Sequence, residues 1–423
     1  VLFRFSLYGF LKNQRYFEPF LILAFVEKGM SFFAIGVLIA FREVATNVLE
    51  IPSGSIADLL GRRRSMLLSF GAYLCSFVVF WLADEQWLLW PAMFLFAIGE
   101  AFRTGTHKSM IFEWLRREGR SDEKTKIYGH TRSWSKFGSA ASVVIGAGLV
   151  FWLDSYAAVF LLSAVPTALN LINLGSYPKY LDGEPVAAVG WREVWQHSRS
   201  AIVEAVQKPQ LRRLMTESMS FEGVFHASKD YLQPLLAAAA TAWFAVQLDA
   251  GASATSGWSE LQRTTLLIAP VYLCLHLLSA IASRRAHRLV TAVGGEESRA
   301  ARLLWSLTAG LFVGLLVGEL TQIVAVSIAA FVLLHVVQNL WRPILISRID
   351  LATDNANSAV TLSVESQARR MATIVLAPLF GFAIDATSRG DANQAGIYWP
   401  IAIVGATIAI LMRLTASKAA TPA

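Results

Sequence analysis

Charge is scarce in this chain of 423 residues: Asp, Glu, Lys and Arg together supply 16% of it, where soluble proteins carry roughly 25%. That deficit argues against an ordinary soluble enzyme. Cysteine is scarcer still. Cys75 and Cys274 are the only two, both lie inside apolar runs, and their wide separation excludes a disulfide framework and a Cys-based redox or metal motif. No His-to-acid spacing matches HExxH or a comparable ligand pattern, so neither a metal nor a cofactor is expected. No apolar stretch followed by a small-residue cleavage site opens the sequence. The chain starts on Val1 rather than Met, and a few native residues are expected to precede it. What is abundant is apolar surface. Hydrophobic residues make up 55% and the mean hydropathy is +0.49, more than a globule can hide and the excess expected of a chain buried in lipid.

Windows of about 20 residues with few charges mark twelve spans, at 2–26, 32–51, 65–83, 87–114, 134–153, 156–177, 211–236, 261–283, 303–318, 323–346, 359–386 and 397–412. Lys and Arg crowd onto alternate connections, as in Arg62 to Arg64, Arg116, Arg117, Arg120, Lys124 and Lys126, while the opposite connections offer Lys28 and Arg389. The positive-inside rule then puts both termini in the cytoplasm. The same asymmetry accounts for the net charge of +7 without nucleic acid as a partner. The expectation is a monomeric, multi-pass protein of the bacterial inner (plasma) membrane. The longest connection, 178–210, separates an N-terminal bundle of six spans (1–177) from a C-terminal one (211–423). Within it Trp191, Val194, Trp195, Ile202 and Val206 recur at helical spacing and predict an amphipathic helix docked at the interface.

Polar residues repeat every third span. The third, sixth, ninth and twelfth lack interior ionisable groups and are expected to face lipid. The first carries Lys12, Asn13, Gln14, Arg15 and Glu18, and the fourth Glu100, Arg103, His107 and Lys108; the seventh carries Glu222, His226, Lys229 and Asp230, and the tenth His335, Gln338, Asn339 and Arg342. Steps of three and four place each set on one helical face. Dry and unpaired, the ten charges among them would cost about 30 kcal/mol. They must therefore pair or line water, as 3+3 inverted repeats around an aqueous cavity would allow. Glu365 and Arg369, four residues apart on the eleventh span, are expected to satisfy one another, and Arg15 with Glu18 is a second local pair. Gly138, Ser142 and Gly146 read as a close helix contact.

Between the second and third spans stands GSIADLLGRRR, with Gly54, Asp58, Gly61, Arg62, Arg63 and Arg64. The glycines allow close approach and a tight turn, Asp58 offers an acceptor to a helix N-terminus or an Arg, and the arginines suit phosphate headgroups. The motif resembles the signature of the major facilitator superfamily, and the span count and helix-triplet polarity extend the resemblance over the chain. It implies an all-α integral membrane fold of twelve transmembrane helices, in two six-helix bundles related by pseudo-two-fold symmetry. It also implies a conformational gate at Gly54, Asp58, Gly61, Arg62 and Arg63. Leu59 stands where the family usually has a basic residue, and SAIASRRAHR, from Ser279 to Arg288, keeps only the positive charge of the second copy. The fifth span lacks the Gly-Pro pair of proton-coupled drug exporters.

The function expected is secondary active transport of a small anionic or zwitterionic solute by alternating access, with protons as coupling ion and membrane lipids as surroundings. The chain is not read as an enzyme. The alternatives are export of hydrophobic drugs or amphiphiles including lipids, and a solute sensor that does not transport. Expected substrate or proton sites are Lys12, Arg15, Glu18, Glu100, Arg103, His107, Glu222, His226, Lys229, Asp230, Asn339, Arg342, Glu365 and Arg369. Glu100 and Glu222 are the preferred proton carriers, since a carboxylate stripped of water holds its proton more tightly.

Overall fold

The computed structural model of the protein describes residues 1–103, 106–120, 123–182, 203, 207–249, 257–353, 358–388 and 396–418, with side chains at all of these except 51–52, 54–60, 124–126, 248–249, 358–360 and 416–418. Among the described residues there is helix and no strand. The α-helices are α1 (Leu2–Lys12), α2 (Leu21–Glu27), α3 (Phe32–Leu60), α4 (Arg62–Leu82), α5 (Leu89–Arg103), α6 (Thr106–Arg117), α7 (Lys124–Leu153), α8 (Ala158–Gly175), α9 (Pro209–Ser228), α10 (Leu232–Asp249), α11 (Glu260–Ala292), α12 (Glu297–Thr321), α13 (Val324–Ala352), α14 (Ser358–Ser388) and α15 (Trp399–Lys418). Among the described residues, each expected span contains helix. By length and composition, 8 helices among the described residues are long and apolar enough to cross a membrane, and α15 contributes a shorter apolar stretch, Trp399–Thr415.

The polar first and seventh spans each consist of two helices, where the sequence reading expected one. α1 stops at Asn13, whose side-chain Nδ2 donates to Gly9 O at 2.7 Å, and helix resumes through a 3-10 turn, Glu18–Phe20, carrying Pro19. α9 and α10 are joined by a 3-10 turn at Lys229–Tyr231, with Pro234 three residues into α10, where its missing N–H costs nothing. In the fourth span, α5 is described to Arg103 and α6 from Thr106, and residues 104–105 between them lie outside the described residues. Helix interruptions free backbone polar groups at membrane depth only where protein or water can satisfy them.

The chain divides into two compact units, Val1–Gly29 with Phe41–Val194 and Met30–Ala40 with Trp195–Ala423. In the first, α4 and α8 turn their polar side chains inward. Ser69 and Ser76 donate to the Gly99 and Ala92 carbonyls of α5, and Asn170 and Asn173 donate to Tyr8 O and Arg4 O of α1. Their other faces expose Leu68, Leu169 and Ile172, as a lipid-facing helix requires. α7 lies so close to α1 that a side chain at Gly138 would collide with the Phe10 carbonyl. In the second unit, Phe221, Trp305 and Trp341 form an aromatic core, the Phe221 and Trp341 rings stacked at 4.8 Å. There Asp385 of α14 caps the start of α3, accepting from Phe32 N at 3.0 Å and Phe33 N at 2.8 Å.

Candidate functional site: two charge networks and a cationic cavity

In the first unit Glu100 of α5 is held between two guanidinium groups. Arg15 Nη2 reaches Oε1 and Arg103 Nη2 reaches Oε2, both at 2.8 Å, and Arg103 Nε donates to Tyr73 Oη at 3.2 Å. Arg15 lies in the break between α1 and α2, so it reaches across to α5 instead of pairing along its own helix. Tyr73 was missed from sequence because it sits in the third span, read as wholly lipid-facing; it is the buried side of that helix that carries it. Below this cluster His107 stacks on Tyr8 with ring centroids 3.6 Å apart, and its Nε2 lies 3.1 Å from Tyr177 Oη. Both neighbour a cavity of about 520 Å³ walled by α1, α6 and α7. Lys12, Arg103, His107, Lys108, Arg132 and Lys136 line it, and no Asp or Glu does among the described residues.

In the second unit Glu365 and Arg369 do not satisfy one another. Arg342 of α13 grips Glu365 with both terminal nitrogens, at 2.6 and 2.9 Å, and Ser218 Oγ of α9 adds a short hydrogen bond to the same carboxylate. Four-residue spacing on α14 was outcompeted by a planar fork-to-carboxylate fit from a neighbouring helix. Arg369 Nη1 instead meets His226 Nε2 at 2.9 Å. His226 Nε2 stands 3.4 Å from Glu222 Oε2, which also accepts from Gln338 Nε2 at 3.2 Å. Glu222 is fully buried, and its Oε1 has no hydrogen-bond partner among the described residues. Ser218 lies one turn before Glu222 on the same face, a spacing that could have found it.

The remaining expected residues are spread more widely. Lys229 pairs with its neighbour Asp230 at 2.7 Å, Asn339 turns back onto His335 O of its own helix, and Glu18 opens the 3-10 turn after α1. Of the motif residues, the side chains of Gly54 and Asp58 lie outside the described residues. Gly61 adopts φ +93°, and Arg63 reaches the C-terminus of α8, donating to Leu174 O at 3.3 Å and Gly175 O at 2.8 Å. The acceptor at the head of α4 is Asp182, whose Oδ1 takes Arg63 N at 2.8 Å; it was read as the start of a linker. A second cavity of about 880 Å³ in the second unit holds Glu217 between Arg213 at 2.8 Å and Arg348 at 2.6 Å, so its charges neutralise one another.

The sequence model described as Major Facilitator Superfamily matches residues 13–378. The chain belongs to the Major Facilitator Superfamily. As a member, it is a multi-pass integral membrane protein of a transporter superfamily. Among relatives, multidrug resistance protein MdtH of Salmonella paratyphi B (strain ATCC BAA-1250 / SPB7) is 27% identical over 139 residues, 33% of this chain and 33% of that protein. The match therefore spans about a third of the curated relative. Over whole chains the superfamily fold is shared with solved transporters. A variant of the nucleoside transporter NupG superposes with a TM-score of 0.78 at 11% identity, covering 99% of this chain and 100% of that one. A D-xylose–proton symporter superposes with a TM-score of 0.64 at 14% identity, covering 97% and 96%.

Proposed function

We propose that this superfamily member is a secondary active transporter that moves a small anionic or zwitterionic solute by alternating access, driven by protons. The observation that carries the reading is the gathering of charges from the polar spans into paired networks inside each unit, on helices interrupted beside them. Ionisable groups at membrane depth are costly and mark substrate or ion pathways, and interrupted helices are how transporters expose backbone to a bound solute. In this reading twelve passes form two six-helix bundles, 1–177 and 211–423, with both termini in the cytoplasm. Gly54, Asp58, Gly61, Arg62 and Arg63 form the cytoplasmic gate.

Of the two preferred acids, Glu222 fits proton carriage better. Both oxygens of Glu100 are taken by permanently charged guanidinium groups, whereas Glu222 Oε1 is unpartnered among the described residues and can accept a proton without breaking an ion pair. The likeness to a multidrug resistance protein supports export of amphiphiles as a second reading; the first unit's cavity, with no acid among its described lining residues, argues against cationic drugs.

Reconstitution in proteoliposomes tests the scheme. With a pH gradient imposed, the parent should concentrate its substrate. Glu222→Gln keeps size and much of the hydrogen bonding but cannot titrate, so it should bind and exchange substrate yet fail to concentrate it. Undiminished uphill transport by Glu222→Gln would move the proton site elsewhere.

A further inference from the structure

The cavity of the first unit is unbalanced in charge. Tyr128, Arg132, Ser135, Lys136 and Ser139 recur at steps of three and four along α7 and so form one stripe, and that stripe faces Lys12 on α1 and Lys108 on α6 across the space. Arg103 is already bound to Glu100. Lys108 lies 5.5 and 5.6 Å from the Phe112 and Tyr128 ring centroids. Lys12, Arg132 and Lys136 have neither a salt bridge nor a side-chain hydrogen bond among the described residues. A single negative charge would leave most of these cations uncompensated. A zwitterion's ammonium group would find no carboxylate among the described residues of the wall and would be repelled. The cavity's size, about 520 Å³, suits a metabolite-sized ligand, and Phe5, Tyr8 and Ile111 offer it an apolar side.

Resting on the transport reading above, we infer that this cavity binds the doubly negative group of a water-soluble organic anion, a phosphate monoester or a pair of carboxylates, and discriminates against zwitterions and cations. The discrimination is by charge count: each added negative charge meets a further unpaired cation, with charge-assisted hydrogen bonds from ammonium and guanidinium groups.

Calorimetry on the purified full chain in lipid nanodiscs, with matched probes at pH 7.5, tests this. Phenyl phosphate is doubly charged there, since its second pKa is about 6; methyl phenyl phosphate carries one charge; succinate and monomethyl succinate form the second pair; glycine and tetraphenylphosphonium are the zwitterion and cation. At least one dianion should bind about tenfold or more tightly than its monoanionic partner. Arg132→Gln and Lys136→Gln should each remove most of that ratio, while Arg299→Gln, on an exposed pair with Glu296, should preserve it. Equal binding within both pairs, preference for glycine or the phosphonium ion, or no binding by either dianion would each overturn the inference, and none of these depends on a variant folding. Phenyl phosphate preferred over succinate would assign the phosphate class, and the reverse the dicarboxylate class. Dianion-selective binding without movement in proteoliposomes would uphold this site and refute the transport reading.

Discussion

Arg369 Nη1 meets His226 Nε2 at 2.9 Å, and because a guanidinium only donates, that imidazole nitrogen must present its lone pair. The same Nε2 is 3.4 Å from Glu222 Oε2. Two lone pairs face each other there unless the carboxyl carries the proton, so the Arg369 bond and the protonation of Glu222 are coupled. Replacing Arg369 by Gln removes the neighbouring cation and lets Nε2 carry a proton of its own. Both changes act on proton exchange by the pair, so the pH profile of proton-driven transport should differ from the parent's. An unchanged pH profile in proteoliposomes would show that the three groups do not titrate together.

Arg342 and Glu365 separate fold from function. Arg342→Met strands a fully buried carboxylate, and losing one partner of a buried pair costs about 3 to 5 kcal/mol. The double variant Arg342→Met with Glu365→Leu should recover most thermal stability in detergent while transport stays lost. Recovery of both would make the pair purely structural.

At the head of α4, Gly61→Ala should be worse than loss of the cap it faces. A Cβ at φ +93° would sit 2.8 Å from Asp182 Oδ1, and that backbone conformation alone costs a side chain about 1 to 3 kcal/mol. Asp182→Ala, which removes the acceptor for Arg63 N, should cost about 1 kcal/mol. Adding Asp182→Ala should not rescue Gly61→Ala, since the backbone strain remains; thermal melts of the three variants would tell.

Two glycines of α7 should respond oppositely to alanine. Gly148 has nothing within 4 Å of its missing Cβ, so Gly148→Ala should stabilise the helix by about 0.5 to 1 kcal/mol. Gly138→Ala forces α1 away from α7 and should destabilise by about 1 to 3 kcal/mol, visible as a lower melting temperature.

The sequence determined the architecture because lipid imposes a rule that a single chain must obey residue by residue. Apolar runs of the right length, separated by short connections, allow few folds besides helices, and the motif around Asp58 with the polarity of every third span was enough to identify the superfamily. It also marked Arg15, Glu100, Arg103, Glu222, His226 and Arg342 as groups that had to be paired. Which groups pair was decided by tertiary structure alone. Helical spacing proposes only partners on the same helix, and so it joined Glu365 to Arg369; packing brought Arg342 from α13 and His226 from α9 into better geometry. The breaks after Lys12 and at Lys229 were equally hidden, because a polar residue in a span reads the same whether the helix passes through it or stops there. Nothing in the sequence sets Arg132 and Lys136 apart from ordinary surface charge. Only the approach of α1 and α6 turned their side of α7 into a cavity wall, since a single helix has faces but no interior.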